Sequence, residues 1–462
     1  MPISAFRTAR SLFDLERHMD NARSHQEWEQ LATAHDDLSG KTDWRSREET
    51  SLYDFAEIRI RHDKLVQLLE QENHAELLYA LNEGIHGNMA GMGRPILYAQ
   101  AHTGTKTLID EYVSTLVEAL HFIAAANEHQ IARADKIDFF RRASHCYGRS
   151  ALMLSGGAGL IYFHHGVVQT LIDEDLLPNV ISGASAGSWV ASQLGTHTDE
   201  ELKAGYLDRY RYDVRDDVTP LQVFGGRDPS LTPLAVKDRA LDGIDTHMTF
   251  KEAFELTGRY INVSIAPVEK HQNSRLMNAI TSPHVYIRSA MDASSSIPGM
   301  FPPVTLYAKG ADGKPKPYLS SRKWVDGSTA DDLPAKRLAR LYGVNHYLVS
   351  LINPIAAPFV ADPKTRHRKG FSQIAAETGI SLVKDGLHIL ESLLSRYGAD
   401  QLSPAFLMTH AVLDQKYTGD INMILDIDDF HLRQIFHFFK PGEIEALIMA
   451  GKRSVWPKLA MI

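Results

Sequence analysis

The chain has 462 residues, enough for two or three domains and a sizeable core, and its 44% hydrophobic and 23% charged residues match an ordinary globular protein. A net charge of −8 argues against a nucleic-acid partner and against strong general attraction to anionic membranes. The single cysteine, Cys146, excludes an intramolecular disulfide and suits a reducing compartment, so a cytoplasmic protein is expected, with Cys146 read as a small buried side chain.

In chain order, residues 1–20 are interrupted by Arg7, Arg10, Asp14, Glu16 and Arg17, which does not fit a signal peptide. No window reaches the run of about 18 apolar residues that a membrane span requires. Any contact with a membrane surface is therefore expected to be peripheral, with residues 5–15 as one candidate face. Apolar residues then recur at helical spacing at Leu65, Leu68 and Leu69, at Leu77, Leu78 and Leu81, and at Leu108, Tyr112, Leu116 and Leu120, which predicts a largely helical N-terminal third.

Residues 151–154 read as a buried strand running into Ser155-Gly156-Gly157-Ala158-Gly159 and a helix-like stretch over 160–171. Backbone N–H groups converging at a helix N-terminus make an anion site. A nucleotide phosphate is disfavoured, because neither Gly-x-x-x-x-Gly-Lys-[Ser/Thr] nor Gly-x-Gly-x-x-Gly follows this strand. A second short apolar run, 179–181, leads into Gly183-Ala184-Ser185-Ala186-Gly187 and another helix-like stretch. That order fits a nucleophile elbow, in which Gly183 and Gly187 leave room for a strained turn presenting Ser185. Beside a serine nucleophile the bound anion would be a tetrahedral oxyanion, so Gly156, Gly157 and Ala158 are the candidate oxyanion hole.

Farther along, Phe224-Gly225-Gly226-Arg227-Asp228-Pro229 reads as a loop that could gate a cleft, and 309–317 as a flexible surface loop. Lys323-Trp324-Val325-Asp326-Gly327-Ser328 contains an Asp-Gly that alone would fit a hairpin turn. Residues 346–351 look strand-like, and the chain looks helical from about 361, where Val383, Leu387, Leu390 and Leu394 share one face of a run over 380–397. Core packing is favoured over lipid contact for that face. His164 and His165 are expected to pack or to satisfy hydrogen bonds. No His, Cys or carboxylate spacing suggests a metal site, so neither metal nor cofactor is expected.

The glycine-rich loop, Gly-x-Ser-x-Gly and later Asp-Gly, taken in this order, resemble the patatin-like phospholipases. The resemblance implies an α/β fold with a three-layer core and a mainly parallel central sheet, flanked by helical N- and C-terminal regions. It implies a catalytic pair, Ser185 and Asp326, without a catalytic histidine, supported by Gly183, Gly187 and Gly327. One departure is Ile161, at a position where the family's loop usually carries a further glycine. Further similarity covers 277–284 and 290–303, read as lining a cleft, and Asp331-Asp332-Leu333-Pro334, whose two aspartates are expected to cap the next helix.

Asp43-Trp44, Tyr53-Asp54, Arg94-Pro95-Ile96-Leu97-Tyr98 and Thr103-Gly104-Thr105-Lys106 are similar to the domain preceding the core in fungal and plant triacylglycerol lipases. The implied domains are 1–147, 148–358 (catalytic) and 359–462 (helical). The implied activity is release of fatty acids from triacylglycerol, phospholipids or both, through an acyl-enzyme. Two alternatives stand beside it: a Ser-Asp-His esterase using His410, His431 or His437, and a non-catalytic lipid-binding protein. Any contact with a lipid-droplet surface is likewise expected to be peripheral, and oligomeric state is left open.

Overall fold

The computed structural model describes residues 3–83, 85, 87–205, 207, 247–269, 272–298, 300–353, 356, 419–425 and 439–462. The chain is mixed α/β and divides into two compact units, 1–149 together with 456–462, and 150–455.

The first unit is helical: α1 (Ile3–Asp20), α2 (His25–Leu38), α3 (Lys41–Ser46), α4 (Phe55–Glu70), α5 (His74–Asn82), α6 (Pro95–Tyr98), α7 (Thr107–Ala125) and α8 (Arg133–Tyr147). Several helices start where a short polar side chain accepts a first-turn N–H: Ser24 from Glu27, Asp54 from Glu57 and Asn73 from Glu76. The helical stripes meet in one core, with Leu65, Leu68, Leu77, Leu81, Leu108, Tyr112 and Leu116 buried and Leu69, Leu78 and Leu120 packed against them. Burying each such leucine stabilises the fold by about 1.5–3 kcal/mol.

Polar anchors fix the loop before α7. Asp36 accepts the N–H groups of His102 (3.0 Å) and Thr103 (2.9 Å) and the Thr103 hydroxyl (2.7 Å). Among the described residues His35, Asp36 and His102 bring ligand-type atoms within 4.8 Å of one another. Both Asp36 oxygens already accept hydrogens from the loop, so this group works as a structural anchor. Lys106, fully buried, donates to the carbonyls of Trp44 and Arg47 and lies over the Trp44 ring. Two segments noted from the sequence thus touch. Cys146, expected to be buried, is exposed. Residues 456–462 also belong to this unit, and Trp456 stacks on His25.

The second unit contains β1 (Arg149–Leu154), α9 (Ile161–Asp173), β2 (Val180–Gly183), α10 (Ala186–Thr196), α11 (Asp199–Lys203), α12 (Phe250–Thr257), β3 (Tyr260–Pro267) and β4 (Arg275–Met277). It continues with α13 (Ile287–Ser294), β5 (Leu306–Lys309), β6 (Pro315–Tyr318), β7 (Trp324–Asp326), α14 (Ala335–Tyr342), β8 (Val344–Leu351), β9 (Ile421–Ile424) and α15 (Pro441–Val455). Seven strands form one sheet in the order β4-β3-β2-β1-β8-β9, with β7 also paired to β3. The pairs β1/β2, β2/β3 and β8/β9 are parallel, whereas β4 and β7 run antiparallel to β3.

Consecutive residues of β1, β2, β3 and β8 are buried, so both faces of the sheet centre are covered, as expected for a parallel sheet between layers. Ala151 and Met153 of β1 and Val349 and Leu351 of β8 pack with Leu338 and Tyr342 of α14. Residues 309–317, expected to be a flexible loop, include the turn of the β5/β6 hairpin. Residues 421–424 form a strand within a stretch that reads as helical. No helix among the described residues is long and apolar enough to cross a membrane. The 224–229 loop, the 380–397 run and His410, His431 and His437 lie outside the described residues.

Candidate active site

Ser185 joins β2 to α10 with φ 49° and ψ −122°, a left-handed conformation that costs a non-glycine residue on the order of 1–3 kcal/mol. The flanking glycines permit it. A Cβ on Gly183 would meet the backbone of Gly187, and one on Gly187 would meet the Leu154 carbonyl, in both cases well inside contact distance. The strained peptide is held from outside: Ser185 N–H donates to Ser294 Oγ (2.9 Å), which donates to the Ser264 carbonyl (2.7 Å).

Asp326 ends β7 opposite Ile265 of β3 and is almost fully buried. One carboxylate oxygen accepts Ser328 N–H at 2.8 Å, and Asp326 N–H donates to the Ser296 carbonyl at 3.0 Å. Gly327 presses against the Ser264 backbone, where a side chain would not fit. Ser294 and Ser296 therefore tie the serine turn and the Asp-Gly turn to one short segment. Ser295 adds a third link by accepting Trp189 Nε1–H from α10 at 2.6 Å. Sequence similarity marked this segment as cleft lining, yet Ser294 and Ser296 are fully buried and their polar groups brace the two motifs.

The glycine-rich loop completes the cluster. A Cβ placed on Gly156 would lie 3.2 Å from Ser185 Cβ and 2.9 Å from Ser328 Cβ, so the loop passes between the serine turn and the turn after Asp326. Gly157 is packed as closely against Ile352. Ala158 turns with φ 47° into a short 3-10 segment, and Ile161, the departure from the family pattern, starts α9 with ordinary helical dihedrals. The three motifs thus come together. Among the described residues no hydrogen bond engages the Ser185 hydroxyl, and none links it to Asp326.

The loop N–H groups are not equivalent. Gly156 N–H donates to Asp332 Oδ1 at 2.8 Å and is already committed. Among the described residues the N–H groups of Gly157, Ala158 and Ala186 have no protein acceptor. Ala186, the residue after the serine, was not picked out from the sequence, because a backbone donor leaves no side-chain signature; its position directly after the candidate nucleophile is the signal that could have found it. Asp331 and Asp332 do not cap α14, whose N-cap is Pro334. Asp331 pairs instead with Arg337 (3.2 Å), while burial raises its pKa above the usual carboxylate value against the pull of that guanidinium. His164, fully buried in α9, is held neutral by desolvation, which pushes its pKa down to about 4. As expected, it satisfies hydrogen bonds, to the Ser155 carbonyl and to Ser350.

Comparison with known proteins places the chain in a family. Residues 152–339 match the family described as patatin-like phospholipase, and residues 6–145 match a domain of unknown function, DUF3336. The chain is similar to a patatin-like phospholipase domain-containing protein of Aspergillus fumigatus, with 32% identity over 97% of this chain and 66% of the relative. It is also similar to triacylglycerol lipase 4 of Saccharomyces cerevisiae, with 31% identity over 96% of this chain and 50% of that protein. A patatin-like phospholipase domain-containing protein of Yarrowia lipolytica is 32% identical over 97% of this chain and 56% of its own length. The chain spans between half and two thirds of the length of these relatives.

Proposed function

Because this chain belongs to the patatin-like phospholipase family, we propose that it is a serine lipid acyl hydrolase in which Ser185 is the nucleophile and Asp326 its general base. The observation that carries the reading is the strained Ser185 at the start of α10, packed through Gly156 against the turn that follows the buried Asp326, together with a loop that has uncommitted N–H groups. Ser185 Oγ attacks the ester carbonyl as its proton passes to Asp326, and the proton then goes to the departing alcohol. The acyl-enzyme is hydrolysed by a water that the same carboxylate activates.

Asp326 and the serine hydroxyl must close to hydrogen-bond distance for the first transfer, a tightening that substrate binding commonly produces. Gly157, Ala158 and Ala186 supply the oxyanion donors, each worth about 100- to 1,000-fold in rate. Gly156 helps by its backbone position, since its own N–H is bonded to Asp332.

Triacylglycerol is the preferred substrate class in this reading, supported by similarity to a yeast protein named as a triacylglycerol lipase; phospholipid is the second. Contact with the lipid surface is peripheral. Fatty-acid release from emulsified triacylglycerol, from phospholipid vesicles and from a soluble short-chain ester, all with EDTA present, tests the assignment. We expect release from the emulsion to exceed that from vesicles. Hydrolysis confined to the short ester contradicts a lipid substrate.

A further inference from the structure

One peptide unit of the glycine-rich loop is gripped at both ends by buried side chains from other parts of the fold. The Ser155 carbonyl accepts a hydrogen bond from His164 Nε2 at 2.9 Å, and the N–H of the same peptide, on Gly156, donates to Asp332 Oδ1 at 2.8 Å. Ser155, His164 and Asp332 are all fully buried. A carbonyl only accepts, so His164 Nε2 carries the proton, and Nδ1 accepts the Ser350 hydroxyl proton at 2.6 Å. Ser155 is fixed on its remaining sides as well. Its N–H donates to the Ser350 carbonyl (3.1 Å), and its Oγ accepts Ile352 N–H (2.9 Å).

We propose that His164 and Asp332 are positioning residues that clamp the Ser155–Gly156 peptide and so set the direction of the Gly157 and Ala158 N–H groups. The loop needs such a restraint. Two successive glycines give the backbone wide conformational freedom, and a flipped peptide would present a carbonyl where a donor is required. Neither side chain reaches the reacting atoms in this account; both act through the backbone between them. The catalytic consequence rests on the hydrolase reading, whereas the clamp has a readout of its own.

The test uses the full chain with Asp332→Ala and His164→Ala, and with two conservative variants. Asp332→Asn keeps an acceptor oxygen, and His164→Gln keeps an N–H near the Nε2 position. Amide hydrogen exchange is followed in a peptide spanning residues 152–160. In the alanine variants we expect exchange there to rise about tenfold or more while the rest of the sheet stays protected, and the conservative variants to stay near wild type. Wild-type protection in both alanine variants overturns the clamp. If an alanine variant exchanges quickly throughout the sheet, Ser350→Ala takes its place, since it removes only the hydroxyl that orients the ring. Unchanged loop exchange in that variant then overturns the clamp.

Ester turnover is the second arm. Each alanine variant should lose about 10- to 100-fold in kcat with KM within about twofold, and the conservative variants should recover most of it. The double alanine variant should be no worse than the poorer single variant by more than about threefold, because both changes release the same peptide. Multiplicative losses overturn that shared action. A wild type that turns over no ester while loop exchange behaves as expected overturns the hydrolase reading and leaves the clamp standing.

Discussion

At the residue scale, the site depends on conformations that its side chains would not adopt unaided. Ser185 stays at positive φ because Ser294 holds its N–H and two glycines leave it space. The elbow was legible in the sequence for that reason: the turn tolerates few alternatives to glycine, so the constraint is written in residue type. Asp332 was not legible. An aspartate shortly before a helix fits a cap, and its partner Gly156 is 176 residues away, so only the folded sheet reveals the bond.

His164 gives the residue-scale prediction. Its pKa is about 4 in the fold against 6.5 for an unperturbed imidazole, with burial as the main cause. As pH falls the unfolded chain binds this proton first, so the stability tied to neutral His164 is complete above pH 6.5 and is lost progressively toward pH 4. The loss is about 1.4 kcal/mol per pH unit over that window, on the order of 3 kcal/mol in all. Urea unfolding at pH 7 and pH 4.5 should show wild type losing about 2 kcal/mol more than His164→Gln. Equal losses would remove His164 from the acid response.

At the element scale, the helix that carries His164 is set by a close approach to α15. A Cβ on Gly166 of α9 would strike the Ile448 carbonyl, and one on Gly451 of α15 would strike the Phe163 carbonyl. Gly166→Ala must separate the two helices or strain them, at a cost of about 1–3 kcal/mol. We expect a lower unfolding midpoint together with reduced turnover, because α9 also presents His164 to the glycine loop. A variant with the wild-type midpoint would mean that the helices part without penalty.

Strand β9 was hidden at this scale. Its first three residues are buried, the fourth is half-buried, and four residues covered on both faces show no alternation to read. The β5/β6 hairpin was hidden for a different reason. Lys, Gly and Pro dominate 309–317, but pairing from Leu306 with Tyr318 to Lys309 with Pro315, and Gly313 at φ 75°, turn that composition into an ordered structure.

At the scale of the whole molecule, the strand-loop-helix order around β1 and β2 was legible because parallel strands buried on both faces read as short apolar runs between glycine-rich turns. The helical N-terminal third was legible from its leucine spacing, which reappears as one core. The route of the chain after β8 was not legible, since a return to the sheet edge at β9 and to the first unit at residue 456 depends on contacts that local pattern does not encode.

The central claim is that these distant segments assemble a Ser185–Asp326 hydrolase. Fatty-acid release from emulsified triacylglycerol by wild type, Ser185→Ala and Asp326→Asn, each verified as folded, tests it most directly. The account predicts an active wild type and losses of about 1,000-fold or more in both variants. An Asp326→Asn enzyme that keeps most of its activity would contradict it, because another group would then be taking the serine proton.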